Sequence, residues 1–336
     1  MIDYVRIYAY GLDTNKLLND KRFNFLFHGE MQTGEMTAYT GTWRDMVIVV
    51  NPQRDYVILK GSLHKYFHRQ NFNQFTLFDF INCLELLRKD FGVVPDNCFL
   101  RRFEFGVNIN TSYNPKDITE RIIAYKRSRF NQMEKGEKGV LGNHCTLDRI
   151  KIKVYDKSKH YGLLDRTLRF EIVVKKMVQM HETWKLKIVT LADLTDAELW
   201  RKLTGILLNT YDTLLIDEIQ SEQHLSIKEK LHYLRYCNSD GYERAKRELH
   251  RNTFGNHIRR FKSIQEKYTL GLKKSLRIEL LNTARLLVDR KVNKKQELSI
   301  SEESKAILGA NAQLDSIVHL HKVQSTRLAN HSLVSR

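Results

Sequence analysis

Tyr155 lies in the run Ile150-Lys151-Ile152-Lys153-Val154-Tyr155-Asp156-Lys157-Ser158-Lys159-His160. With a strand's period of two, Ile150, Ile152 and Val154 share one face, and Lys151, Lys153, Tyr155 and Lys157 share the other. A phenol with an ordinary pKa of about 10 is a poor nucleophile at neutral pH, but surrounding ammonium groups favour its phenolate and attract phosphate. That combination suits attack on a phosphodiester. Residues 168–174 repeat the pattern, with Arg169 and Glu171 on one face and Phe170 and Ile172 on the other. An earlier run, residues 100–107, carries the same triplet as Arg102-Phe103-Glu104, so two Arg-Phe-Glu strands are expected to line one cleft. Periodicity alone is equally satisfied by a tyrosine on the solvent face of a half-buried sheet.

The elements that must position these residues begin with strands at 2–10, 23–28, 35–42, 46–51 and 56–60, parted by Gly, Asn and Asp turns. Residues 61–68 leave the sheet. His64 and His68 stand four apart there, which would stack them as a metal pair on one helical face. Apolar spacing predicts a helix over 75–91, then the strand with Arg102 and Glu104, then a helix from Pro115 to about residue 129. Gly136, Gly139 and Gly142 read as a flexible connection, since neither GxGxxG nor GxxxxGK[ST] is present. The pattern describes an α+β chain: an N-terminal antiparallel sheet with helices on one face over 1–190, a mostly helical domain over 191–290 and a loose tail over 291–336.

Composition points to a polyanionic partner. The 336 residues carry 56 Lys and Arg against 39 Asp and Glu, a net charge of +17. Residues 226–300 hold 19 of the cations against 8 acids, on helices expected to break near 238–241, 252–255 and 269–271. Their surface, with Arg244, Lys246, Arg247, Arg251, Arg259, Arg260 and Lys262, is expected to lack i to i+4 acidic partners and to bind DNA in the helix-turn-helix manner; a bundle with a solvated basic face is the alternative. The four cysteines show no metal or disulfide spacing, which suits free thiols in a reducing cytoplasm. Neither a leader nor a membrane helix is expected.

In the order of its motifs the N-terminal half resembles the filamentous-phage gene II/gene X type of phage and plasmid replication protein, a family of rolling-circle initiators. The resemblance covers roughly residues 1–190 and rests on Met1-Ile2-Asp3, Gly61-Ser62-Leu63, Arg102-Phe103-Glu104, Val154-Tyr155-Asp156-Lys157 and Arg169-Phe170-Glu171. Plasmid initiators of the Rep-trans group show a similar Tyr-Asp/Asn-Lys then Arg-Phe-Glu order. Two features depart from the pattern. Glu104 stands where the family usually has Asp, and no His-hydrophobic-His motif precedes the tyrosine; His319-Leu320-His321 has that form but follows it.

The resemblance implies a rolling-circle endonuclease-like sheet that nicks one strand of an origin. Tyr155 would attack the phosphate, leaving a 5′-phosphotyrosyl link and a 3′-hydroxyl primer, with Lys157 near the phenol to stabilise phenolate or phosphate. Glu104 and Glu171 are the implied ligands of Mg²⁺ or Mn²⁺, which favour hard oxygen donors. Arg102, Arg169, Lys151 and Lys153 would grip the strand, and Tyr161 is a candidate second tyrosine. Partners would be origin duplex and single-stranded DNA, with a host helicase and polymerase, in a bacterial cytoplasm. A rival expectation is a non-cleaving DNA-binding regulator whose aromatics Tyr66, Phe67, Phe72 and Phe75 stack single-stranded bases; another is a mobilisation relaxase.

Overall fold

Alternation in the first sixty residues becomes strands close to where it predicts them. β1 (Ile2–Tyr10), a short α1 (Thr14–Leu18), β2 (Leu26–Gly29), β3 (Met36–Trp43), β4 (Met46–Val50) and β5 (Tyr56–Ser62) open the chain. α2 (Leu63–His68) and α3 (Leu77–Phe91) follow, then β6 (Cys98–Asn110), α4 (Pro115–Glu120), β7 (Ile122–Tyr125), β8 (Ser128–Arg129), β9 (Asn131–Gln132) and β10 (Gly142–Thr146). β11 (Ile150–Asp156), α5 (Lys157–Tyr161), β12 (Thr167–Val174), α6 (Ala197–Thr213) and β13 (Leu214–Ile216) lead to the last helices, α7 (Ile227–Tyr236), α8 (Ser239–Glu248), α9 (Arg251–Tyr268) and α10 (Leu272–Val288). The computed structural model describes residues 1–29, 36–51, 53–219, 221–269 and 271–288. The tail expected over 291–336, with His319-Leu320-His321, lies outside the described residues.

The chain is α+β, built on a ten-stranded antiparallel sheet in the order β2-β3-β4-β5-β1-β6-β12-β11-β10-β9. Its two faces follow from the period of two. Val5 and Ile7 of β1, Phe103 and Phe105 of β6, Phe170 and Ile172 of β12 and Ile152 and Val154 of β11 all enter one core. α3 covers that face because Leu77, Phe80, Leu84, Leu87 and Phe91 recur at helical spacing. Its ends are set by a capping box between Thr76 and Asp79 and by Gly92, which takes the left-handed conformation at the C-cap. α6 adds Trp200, Leu203 and Leu207 to the same core.

Three expectations are corrected. The helix from Pro115 stops at Glu120, because Ile122-Ile123-Ala124-Tyr125 is wholly buried and pairs with β13, about ninety residues later, in a small second sheet β13-β7-β8. No domain break falls near residue 190: residues 1–288 form one compact unit. α10 belongs to the sheet's core, since Leu272, Leu276, Leu280, Ala284 and Leu287 form a buried stripe packed against β6 and α6. The helical breaks lie at 237–238, 249–250 and 269–271, which leaves Gly255 inside α9 rather than at its start. α7, α8 and α9 gather around a separate core of Tyr233, Tyr236, Tyr242, Phe254 and Phe261, joined to Ile123 and Ala124 of the small sheet.

Candidate active site on the polar sheet face

The face opposite the main core is polar where β11, β12, β6 and β1 lie side by side. Register places Tyr155 opposite Arg169, Lys153 opposite Glu171, Glu171 opposite Gly106 and Arg169 opposite Asn108. The two Arg-Phe-Glu strands and the tyrosine strand are therefore neighbours. Asp3 joins them through a bulge: Ile2 pairs with Phe105 and Val5 with Phe103, so Asp3 and Tyr4 together face Glu104. Glycines admit the close packing. A methyl group on Gly106 would lie 2.5 Å from Glu171 Cβ, and one on Gly142 would lie 2.7 Å from Tyr155 Cβ. Gly142 is accordingly a strand residue beside the tyrosine and not part of a flexible connection.

The charges of Asp3, Arg102, Glu104, Lys153, Arg169 and Glu171 alternate on this face and are hydrogen-bonded. Arg102 Nη2 donates to Glu104 Oε1 at 2.9 Å, and Lys153 Nζ donates to Glu104 Oε2 at 2.8 Å and to Glu171 Oε1 at 2.7 Å. Arg169 Nε donates to Glu171 Oε2 at 2.9 Å, Nη1 to Asn108 Oδ1 at 3.1 Å and Nη2 to Asp3 Oδ2 at 3.1 Å. Ser62 Oγ and Asn71 Nδ2 also donate to Asp3. Burial opposes the charge on Glu171 and Asp3, but Lys153 and Arg169 for the first, and Arg169 for the second, hold both carboxyls below their ordinary range. Burial likewise opposes the Lys153 ammonium, and Glu171 and Glu104 outweigh it.

Tyr155 is 9% exposed, and burial followed by the charge of Glu171 raises its pKa well above the ordinary value. The expected effect of the lysines on the phenol is thus reversed: burial and Glu171 outweigh them, and Lys153 on the same strand face is already paired with two carboxylates. Lys157 does not continue the strand: Asp156 caps α5 by accepting from Lys159 N, and Lys157 is its first residue. Its side chain still returns to the site. Nζ donates to Asn71 Oδ1 at 2.8 Å and stands 5.5 Å from the Tyr155 ring and 5.0 Å from the Tyr161 ring. Burial, helped by Arg169, lowers its pKa to about 7. The Tyr161 hydroxyl donates to the same Asn71 oxygen, and burial and Asp3 push its pKa up to about 12.

The remaining candidates are placed as follows. Lys151 is half-buried at the far end of the same strand face, its pKa lowered by burial and by Lys153. His64 and His68 share α2, with rings 5.5 Å apart, and each ring has a neighbour of its own. His64 is buried, stacked on Phe75 and hydrogen-bonded through Nε2 to Asn73 Oδ1 at 2.6 Å, while His68 Nε2 lies 3.7 Å from Asp79. Glu104 and Glu171 do converge, but they do not fit a divalent ion: all four carboxylate oxygens accept from Arg102, Lys153 or Arg169. Among the described residues no group of three or more His, Cys, Asp or Glu is placed to hold a metal.

Arg259 and Arg260 are exposed on α9, and no acidic partner engages them among the described residues. The expectation of uncompensated charge fails one helix earlier, where Glu243 pairs with Lys246 at 3.2 Å and Arg247 at 3.4 Å. Of the aromatics expected to stack bases, Tyr66 and Phe75 are core residues, Phe67 packs against the core and Phe72 leans on Tyr161. A cleft of 570 Å³ lies between α4, β10 and the start of α8, lined by Lys116, Arg129, Asn143, Asp156 and Lys159. Tyr155 does not line it; Tyr155, Lys157, Arg169 and Glu171 are buried on the sheet face beneath the 71–74 loop.

Composition and periodicity did not single out Asp3, Asn71 or Asn108 as site residues. Asn108 Nδ2 donates to the carbonyls of Asn71, Phe72 and Asn73, which pins the 71–74 loop over the cluster. Asp3 and Ser62 lie within two of the short motifs that carry the family resemblance, which is the signal that could have found them. Among the described residues no helix is long and apolar enough to cross a membrane. Comparisons with protein-family models, with curated proteins and with solved structures returned no match to this chain.

Proposed function

We propose that the chain is a rolling-circle replication initiator: it cleaves one DNA strand by tyrosine attack, with the large sheet acting as an endonuclease-like platform and α7–α9 holding origin duplex. One observation carries the reading: Tyr155, Arg169 and Lys157 meet on a single sheet face, with Lys157 Nζ 5.5 Å from the phenol ring. In the reaction Tyr155 Oη bonds to phosphorus and the bond from phosphorus to the 3′-oxygen breaks. The phenol proton passes to a neutral amine, and the departing 3′-oxygen takes a proton back from the resulting ammonium or from water to become a 3′-hydroxyl. A lysine with a pKa of about 7 supplies that amine at neutral pH, and its protonated form offsets phosphate charge. No step is routed through a divalent ion, because the carboxylates that would hold one are already paired.

A second reading has an observation in its favour. Burial and Glu171 hold the Tyr155 phenol in its neutral form, which suits a DNA-binding regulator that keeps the same surface without cleaving. Supercoiled DNA carrying the protein's own replicon separates the two, with products denatured and scored for nicked circles bearing covalent protein, with and without Mg²⁺ or Mn²⁺. Cleavage is expected from the full chain, and none from Tyr155→Phe, which keeps the ring and removes the attacking oxygen. Nicking by Tyr155→Phe at the unmutated rate would move the attack to Tyr161. An absence of adduct under every condition would leave the regulator.

A further inference from the structure

Beside the candidate site, the same face of β1, β5 and β6 carries an arrangement that sheet stability does not call for. Arg6 on β1 stands directly opposite Lys60 on β5 and directly opposite Arg102 on β6. Like charges in direct cross-strand register destabilise a sheet. Arg102 is relieved by Glu104, but no ion pair engages Arg6, Lys60 or Arg101 among the described residues. A local conflict of this kind, with rings but no paired carboxylate beside the cations among the described residues, marks a surface shaped for a ligand.

Rings lie next to the cations. Tyr8 and Tyr56 stack with centroids 4.4 Å apart and planes 7° from parallel, the Arg101 guanidinium covers Tyr8 at 4.6 Å, and Arg54 stands 6.0 Å over Tyr56. Tyr10 meets Phe99 edge-on at 5.5 Å, and Arg102 lies 5.3 Å over Tyr4. Arg6, Phe99 and Arg101 are exposed, and the tyrosines are half-buried. Cross-strand aromatic pairs alone would be ordinary sheet packing. Arginine planes capping a tyrosine stack at an open sheet face are also what nucleic-acid bases stack on, while the same guanidinium groups pair with phosphates.

We propose that this face binds single-stranded DNA, its bases extending the Arg101–Tyr8–Tyr56 stack and its phosphates lying along Arg6, Lys60 and Arg101. The surface is continuous with the tyrosine site through Arg102, which touches Tyr4 on one side and Glu104 on the other. The proposal deepens the reading of strand cleavage by assigning where the uncut length of the strand lies, and binding tests it without requiring cleavage.

The experiment is fluorescence anisotropy of the full chain with a labelled single strand of about 20 nucleotides lacking any origin sequence, over a range of salt. Replacing both rings (Tyr8→Ala with Tyr56→Ala) is expected to weaken binding about tenfold or more, and the corresponding pair of Phe substitutions to retain it. Arg6→Ala with Arg101→Ala removes like-charge strain, so it keeps the sheet folded and decides the matter if the alanine pair unfolds. It is expected to lower the slope of log affinity against log salt by about 1.4, at about 0.7 per lost contact. An unchanged slope, equal affinity of folded Ala and Phe pairs, or a tenfold preference for RNA of the same sequence would overturn the proposal. Loss of cleavage with these effects intact removes the cleavage reading alone.

Discussion

Lys153 stands directly opposite Glu171 across the β11–β12 ladder and donates to it at 2.7 Å, while the same ammonium reaches Glu104 at 2.8 Å. A protein cation thus occupies the position between two carboxylates where the motif pattern implied a metal. Removing it leaves two poorly solvated negative charges facing each other. Lys153→Met is expected to lose about 3–5 kcal/mol of stability in urea unfolding. Millimolar Mg²⁺ or Mn²⁺ should then raise the melting temperature of Lys153→Met and leave the parent unchanged; equal responses would show that the ammonium does not hold that position.

Arg169 joins three strands, β12, β6 and β1, through three separate nitrogens, to Glu171, Asn108 and Asp3. A lysine keeps the charge but not the fork. Arg169→Lys should therefore cost about 2–4 kcal/mol, since hydrogen bonds to charged groups contribute about 1.5–3 kcal/mol each. Unfolding within about 0.5 kcal/mol of the parent would show that the three bonds do not act together.

Lys157 gives a pH signature of defined sign. Its pKa falls to about 7 in the folded protein, below the ordinary lysine value, so above pH 7 the folded state releases a proton that the unfolded state retains. Its contribution to stability rises from pH 7 toward pH 10 and is absent below. Lys157→Met should remove that rise, so that the melting-temperature difference between variant and parent changes steadily across pH 7–10 and stays flat over pH 5–6. A constant difference throughout would mean that Lys157 keeps its proton.

Arg259 and Arg260 make a separate claim for the basic helices. If α9 carries duplex contacts, replacing both with alanine should flatten the slope of log duplex affinity against log salt by roughly one to two units, at about 0.9 per phosphate. Binding to a short single strand should change much less, because the proposed platform is built from β1, β5 and β6 and not from α9. An unaltered duplex slope would assign α7–α9 to packing. Deleting everything after residue 225 is not an equivalent test, since it also strips α10 from the main core.

Much of the fold was legible because strand and helix periods are local. Alternation in 2–10 and 150–156 predicts both which residues enter the core and which carry Tyr155 and the lysines. The Thr76 cap and Gly92 bound α3 for reasons contained within a few residues. The helix predicted from Pro115 to about residue 129 failed beyond Glu120 for the opposite reason: Ile122–Tyr125 is the middle strand of a sheet whose other side, Leu214–Ile216, arrives from about ninety residues away.

The sequence by itself determined the residue types at the site and the face each occupies, since a period of two leaves little choice once one side is buried. Only the tertiary structure decided their chemical state. Arg169 meets Asp3 across 166 residues through a bulge in β1 that no local pattern announces. Register decided that Lys153 sits against two carboxylates, while burial and the charge of Glu171 make the Tyr155 phenol harder to ionise rather than easier. Packing also decided which aromatics are free to stack: Tyr66 and Phe75 were taken into the core, while Tyr8 and Tyr56 were left on a face lined with arginines. Charge and ring geometry depend on partners brought from other strands, and pairing between distant strands is set by the packing of the whole sheet.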